Sequence, residues 1–212
     1  IAREYDNEQK EDEKNTVKVD EKPTMATVAL YRVDEINVFP VKGCRPMRPS
    51  KWPVEENGRL RFDREWAIVD DRLGVVVTAK THAAVALIDA SIVSGIAIAE
   101  HAVVPDHAEL RLSFENDNVI IVPIGAFTAS KNNQCVVRGC GSERVCTSLA
   151  EMDAAISSFF SVALTDSDDP TRFRLVRTEA TSLANTAPLL LVTTSAVSRL
   201  NVELASHGEK AV

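Results

Sequence analysis

The chain predicts an α+β fold, with a mainly antiparallel β-barrel in its N-terminal part and a mixed α/β segment after it. Three observations carry this. From Ala26 to Gln134 the apolar residues come in short alternating or β-branched runs separated by turn residues, the pattern of a small barrel or sandwich. Beyond Gln134 two stretches repeat their apolar residues at helical spacing. With 212 residues and 45% hydrophobic content, the chain can fill a proper core as one large domain or two small ones.

The elements follow in order. Residues 1–24 hold eight acids and five bases against scattered apolar residues, too few to offset the entropy of ordering, and read as a disordered tail or linker. Val28, Leu30, Ile36 and Val38 suggest a first strand pair. "EWAIVDDRLGVVVTAK" reads as a hairpin turning at Asp70–Gly74, and "VALIDASIV" (Val85 to Val93) as a buried strand. "AELRLSF" alternates, turns between Glu115 and Asn118, and returns as "VIIVPI". In "SLAEMDAAISSFFSVAL" Leu149, Met152, Ile156, Phe159 and Phe160 share one helical face, with Ser148 and Glu151 as a capping box. "RFRLVR" and "PLLLVTT" read as strands, and "SAVSRLNVELAS" as a helix capped by Ser195. No internal repeat occurs. The divisions expected are 1–24, a barrel-like domain over 25–134, its mixed extension over 135–178, and the start of a further unit over 179–212.

Composition narrows the function. No stretch approaches the roughly 18 apolar residues of a membrane span, and the N-terminus lacks a signal-peptide core, so the expected compartment is cytoplasmic. Cys44, Cys135, Cys140 and Cys146 are too few for a disulfide scaffold and read as reduced thiols. A net charge of -7 argues against general nucleic-acid binding, and 5% aromatic content leaves few platforms for stacking bases. The chain begins at Ile1 and ends just after a helical stretch, and reads as a piece of a longer protein.

Against this acidic background, Lys42 to Arg64 carries seven bases (Lys42, Arg45, Arg48, Lys51, Arg59, Arg61, Arg64) and three acids, a local excess of +4. Two readings fit: a site for one anionic ligand, or solvated edge-strand faces that resist aggregation. For the first, lysine gives a point charge, arginine a planar fork, and Gly43 lets a backbone N–H approach closely, a set suited to phosphate. Asp63 is placed to orient Arg64. Cys135, Cys140 and Cys146 lack a C-x-x-C pair, and no histidine lies near them in sequence, so they read as small hydrophobes before zinc ligands. His82, His101 and His107 have no partners at metal-site spacing, and no phosphate loop, dinucleotide fingerprint or nucleophile elbow occurs. No catalytic residue is assigned.

Four ordered stretches carry a family resemblance: "VFPVKGC", "KWPVEENGRLRFDREWAIVD", "VVVTAKTHAAVALI" and "SLANTAPLLLVTTSAVSRLN". Together they resemble the β-barrel domain that precedes MOSC domains, in the C-terminal region of molybdenum cofactor sulfurases and in amidoxime-reducing molybdoenzymes. Trp52-Pro53 is most similar to the sulfurase branch. The resemblance implies molybdenum cofactor (molybdopterin) binding, with Lys42, Gly43, Arg64 and Thr186 at the cofactor and 179–212 as the truncated start of the MOSC domain. Gly43 stands where the family has serine, and Ala187 where relatives carry a second hydroxyl. The family's metal-associated cysteine lies beyond the "PLLL" stretch, so no residue here is expected to bind molybdenum or to be the catalytic cysteine; Cys44 is expected to pack. The implied function is the cofactor-binding part of a sulfurase, with a pyridoxal phosphate desulfurase domain upstream and acceptor molybdoenzymes as partners. The alternatives are an amidoxime-reducing enzyme and a non-catalytic cofactor carrier.

Overall fold

The computed structural model describes residues 32–94, 107–115, 118–127, 134–138, 143–165, 172–178, 183 and 189–211. Among the described residues the fold is α+β, with two antiparallel sheets and two α-helices. One sheet has five strands in the order β2-β1-β8-β7-β6, built from β1 (Trp66–Asp70), β2 (Val75–Val76), β6 (Gln134–Val137), β7 (Arg144–Ser148) and β8 (Phe173–Thr178). The other is the meander β3 (Asp89–Val93), β4 (Glu109–Phe114), β5 (Asn118–Pro123).

Strand β1 is buried at all five positions because it is covered on both faces. Trp66 and Ile68 face a large core, and Ala67 and Val69 a smaller one. Its hairpin with β2 pairs Val69 with Val76 and Asp70 with Val75. The turn is held by Asp70, whose Oδ1 accepts from the N–H groups of Arg72 (2.9 Å) and Leu73 (3.0 Å), and by Gly74 at φ +63°. Just past β6, the Arg138 N–H donates to Gly74 O (3.0 Å) and its carbonyl accepts from the Val76 N–H (2.9 Å). The two edges of the five-stranded sheet therefore meet, and the barrel closes through one parallel bridge, Val75 to Arg138. The smaller core fits so narrow a ring, since it holds Ala67, Val69, Val76, Val137, Cys146, Val176 and Leu183.

The large core lies on the opposite face. Trp66, Ile68, Phe173 and Leu175 of the first sheet pack with Ala90, Leu110, Leu112 and Val122 of the second. Helix α1 (Asp153–Leu164) completes it with Ile156, Phe159, Phe160 and Ala163. The segment Val38–Met47 links both sheets: Val41 bridges Trp66 in parallel, Arg45 bridges Asp89, and Val38 pairs with Met47.

Several expectations are corrected. Val28 and Leu30 lie outside the described residues, and Val38 makes a single bridge instead of a strand. Only Asp89–Val93 of "VALIDASIV" is strand; Ala83–Leu87 forms a 3-10 turn. Ser148 is the last residue of β7, paired with Val176, and α1 begins only at Asp153; the residue before it is Met152, without a side-chain cap. Of "PLLLVTT", Leu189–Thr193 has no regular structure and no described strand pairs with it, leaving Leu190 and Leu191 exposed. Helix α2 (Thr194–Ser206) is capped by Thr193 instead of Ser195: the Thr193 Oγ1 accepts from the Ala196 N–H at 3.1 Å.

One ion pair ties these layers at the start of β1. Buried Glu65 accepts from Arg177 of β8 (Nε 2.7 Å, Nη2 2.6 Å). The guanidinium lies over the Trp66 ring at 5.2 Å, and its Nη1 donates to Ile124 O at 3.2 Å. Removing one partner of such a pair leaves an uncompensated charge. Glu65→Ala should therefore lower unfolding free energy by about 3 kcal/mol in urea denaturation, the low end for a broken buried pair because Arg177 keeps partial contact with water.

Candidate functional site

The site is built on a turn. Val41, Lys42, Gly43 and Cys44 form a β-turn closed by the Cys44 N–H donating to Val41 O at 3.2 Å, with Gly43 at φ +89° in the third position. That is the type II arrangement, which favours glycine there. A Cβ on Gly43 would also meet the Val85 Cγ1 at 3.0 Å. Gly43 thus answers to backbone conformation and close packing, and the residue is exposed at the tip of the turn. The turn is held to β1 by the Lys42 N–H on Trp66 O (2.9 Å) and the Trp66 N–H on Pro40 O (3.1 Å).

The second part is Phe62–Glu65, where the backbone is strained. Phe62 (φ +63°) and Arg64 (φ +52°) are both left-handed, a conformation costing roughly 1–2 kcal/mol each for a residue with a side chain. Burial of Phe62 beside Trp66 (5.7 Å between rings) and the Arg64 N–H on Phe39 O (2.6 Å) hold it there. Between the two, Asp63 is buried; its Oδ1 accepts from the Phe39 N–H at 2.9 Å, and its Oδ2 lies 3.0 Å from the Arg64 Nη1. Asp63 thus orients Arg64, whose guanidinium also sits over the Phe39 ring at 5.5 Å. Upstream, a small hairpin braces the loop: Val54 pairs with Leu60, and the Trp52 Nε1–H donates to Arg61 O at 2.7 Å.

Leu183 joins the two parts. Its carbonyl accepts from the Lys42 Nζ at 2.7 Å, and its N–H donates to Arg64 O at 2.7 Å. One residue far along the chain is clasped by both candidate cations' segments. Thr186 and Ala187 lie outside the described residues, three and four positions after Leu183. Sequence reasoning missed Leu183, which acts through its peptide groups, and Phe39, whose ring underlies Arg64.

Three of the other bases pair with acids. Arg45 lies 3.7 Å from Asp89, Arg48 3.6 Å from Glu35, and Arg59 pairs with Glu55. Cys44 is buried, and burial together with the nearby Asp89 carboxylate pushes its thiol well above the ordinary range, which disfavours the thiolate. Cys135 and Cys146 face each other across β6 and β7, while Cys140 and His101 lie outside the described residues. The His82 ring stands edge-on to Phe173 at 5.7 Å with its Nδ1 buried and unpartnered. Among the described residues, no cluster of three histidine, cysteine or acidic side chains is placed to hold a metal ion, and no helix is long and apolar enough to cross a membrane.

Known proteins give three likenesses. The family model of the MOSC N-terminal beta barrel domain matches residues 30–167. A molybdenum cofactor sulfurase of Drosophila willistoni is 33% identical over 107 residues, which are 50% of this chain and 12% of that protein, so the chain spans about an eighth of its length. A solution structure of a Bordetella bronchiseptica protein aligns at a TM-score of 0.42 and 9% identity, covering 68% of this chain and 88% of that one.

Two outcomes follow from this geometry. Gly43→Ser, which restores the hydroxyl residue of the family pattern, should cost about 1–3 kcal/mol of stability through left-handed strain, read as a lower urea midpoint. Burial raises the Asp63 pKa above its ordinary 3.8, against the opposing pull of the Phe39 N–H and of Arg64 and Arg59. The folded state therefore binds this proton more tightly than the unfolded, a contribution complete below 3.8 and lost as pH rises through the folded pKa. Wild-type stability measured relative to Asp63→Asn should fall as pH rises from acid toward neutrality; a gap that widens instead would mean that pairing with Arg64 outweighs burial.

Proposed function

We propose, since this chain belongs to the MOSC N-terminal beta barrel domain family, that it is the molybdenum-cofactor-binding part of a molybdenum cofactor sulfurase. In this reading Lys42, Arg64 and the Gly43 N–H hold the cofactor's terminal phosphate, and Thr186 adds a hydroxyl from the segment after Leu183. One observation carries it: Leu183 is bonded at once to the Lys42 ammonium and to the Arg64 backbone carbonyl, so the segments that carry these two cations meet at one strained, glycine-tipped corner.

The donor chemistry fits a phosphate. Ammonium, guanidinium and exposed backbone N–H are the three donor types that phosphate sites combine. Each has a distinct part here. Lys42 brings charge at the turn, Arg64 brings a fork whose direction Asp63 and the Phe39 ring set, and Gly43 keeps the tip free of a side chain. Strain stored at Phe62 and Arg64 is of the kind that gathers at binding sites.

The cofactor would supply the metal centre that takes up sulfur. The chain's own residues bind and orient, and in this reading buried Cys44 packs under the turn. Support for the sulfurase branch comes from the Drosophila likeness and from Trp52, whose indole N–H braces the loop that presents Arg64. The reading extends to a cytoplasmic protein, with a pyridoxal phosphate domain delivering the persulfide from upstream and molybdoenzymes accepting the sulfurated cofactor.

Lys42→Ala and Arg64→Ala, each made in the full-length protein, should weaken molybdopterin retention by about 1–3 kcal/mol, the scale of one hydrogen bond to a charged group. Cofactor content after gel filtration reads this directly. Unchanged occupancy in both variants removes the phosphate site.

A further inference from the structure

The smaller core contains a feature that cofactor binding does not use. Cys135 of β6 and Cys146 of β7 are register partners in an antiparallel pair. Directly opposed residues in such a pair project to the same face with Cα atoms about 4.5 or 5.5 Å apart, depending on the hydrogen-bonding position. Both values lie within the roughly 4.4–6.8 Å that a disulfide spans. Neither cysteine is in a disulfide, and the Cys135 Sγ–H already points across the ladder to Cys146 O at 3.6 Å. Cys146 is buried in the smaller core and Cys135 packs partly exposed against it.

We propose that Cys135 and Cys146 are a redox modification site, a dithiol that small-molecule disulfides such as oxidised glutathione convert reversibly to a cross-strand disulfide. Partly exposed Cys135 is the point of attack. Its burial raises the thiol pKa, and the neighbouring Arg174 guanidinium offsets only part of that rise. The Cys135 thiolate attacks one sulfur of the reagent, whose S–S bond breaks and releases one thiol. Cys146 then gives up its proton and attacks the Cys135 sulfur of the mixed disulfide, releasing the second thiol. The two cysteines lose two electrons and the reagent gains them.

The bond would act where the barrel closes. Strand β6 is an edge of the five-stranded sheet, and Arg138 just beyond it makes the backbone bonds to the β2 hairpin. Clipping β6 to β7 fixes the strand that carries this closure. Buried Cys44, whose thiolate is disfavoured, is an internal control for selectivity.

The test is peptide mapping by mass spectrometry, without reductant, of the full-length protein equilibrated in glutathione buffers of graded oxidised-to-reduced ratio. The expected product is one linked pair, Cys135 with Cys146, lighter by two hydrogen atoms and reversed by excess thiol. It should persist in Cys140→Ser, raise the thermal midpoint, and be replaced in Cys146→Ser by a glutathione adduct on Cys135. The proposal is overturned if the native protein forms no linked pair. It is equally overturned if Cys135 or Cys146 pairs only with Cys140 or Cys44, or if the link appears only after urea unfolding.

Discussion

Everything at the candidate site depends on how Val38–Arg45 docks. This segment lies parallel to the start of β1, trading backbone hydrogen bonds with Trp66 through Pro40 and Lys42, and continues to Ile88 beside β3, whose carbonyl accepts from the Arg45 N–H at 2.8 Å. One short stretch thereby joins the closed barrel to the three-stranded meander over a common core. The Lys42–Gly43 turn sits at that junction, rigid because the peptides on both sides of it are bonded. A cation presented this way loses little entropy when it meets an anion, which is how rigid scaffolds turn charge into affinity.

The same docking explains why the backbone accepts strain. Phe62 and Arg64 adopt left-handed conformations that neither residue type prefers. Phe62 is repaid by burial against Trp66, and Arg64 by bonds from its N–H to Phe39 and from its carbonyl to Leu183. Asp63, caught between them, answers the Phe39 N–H and the Arg64 guanidinium with one carboxylate. The bonds to Phe39 and to Leu183 tie the corner to Val38–Arg45 and to the segment after β8, so it cannot relax without undocking one of them.

The hairpins were legible in the sequence because their causes are local. Alternating residues in "AELRLSF" and "VIIVPI", and the Asp70–Gly74 turn, carry their instructions within a few positions. The barrel closure at Arg138 and the clasp on Leu183 were not legible, because both are backbone hydrogen bonds between distant segments and leave no mark on residue type. "PLLLVTT" misleads for the converse reason: its composition suits a strand, but a strand exists only where a partner pairs with it. Thr193 and Ser195 are both competent caps two positions apart, and helix geometry chose between them. At the site, Lys42 and Arg64 stood out by charge, whereas Gly43 read as a lost hydroxyl and proves to be required by the turn.

The central claim is that Lys42 and Arg64 together face one phosphate. Phosphorus NMR of the full-length, cofactor-loaded protein tests it most directly, comparing wild type with Lys42→Gln, Arg64→Gln and, as a control, Arg45→Gln at the ion pair with Asp89. The bound cofactor's phosphate resonance should move in the first two variants and keep its position in the third. A resonance unchanged by Lys42→Gln and Arg64→Gln would contradict it.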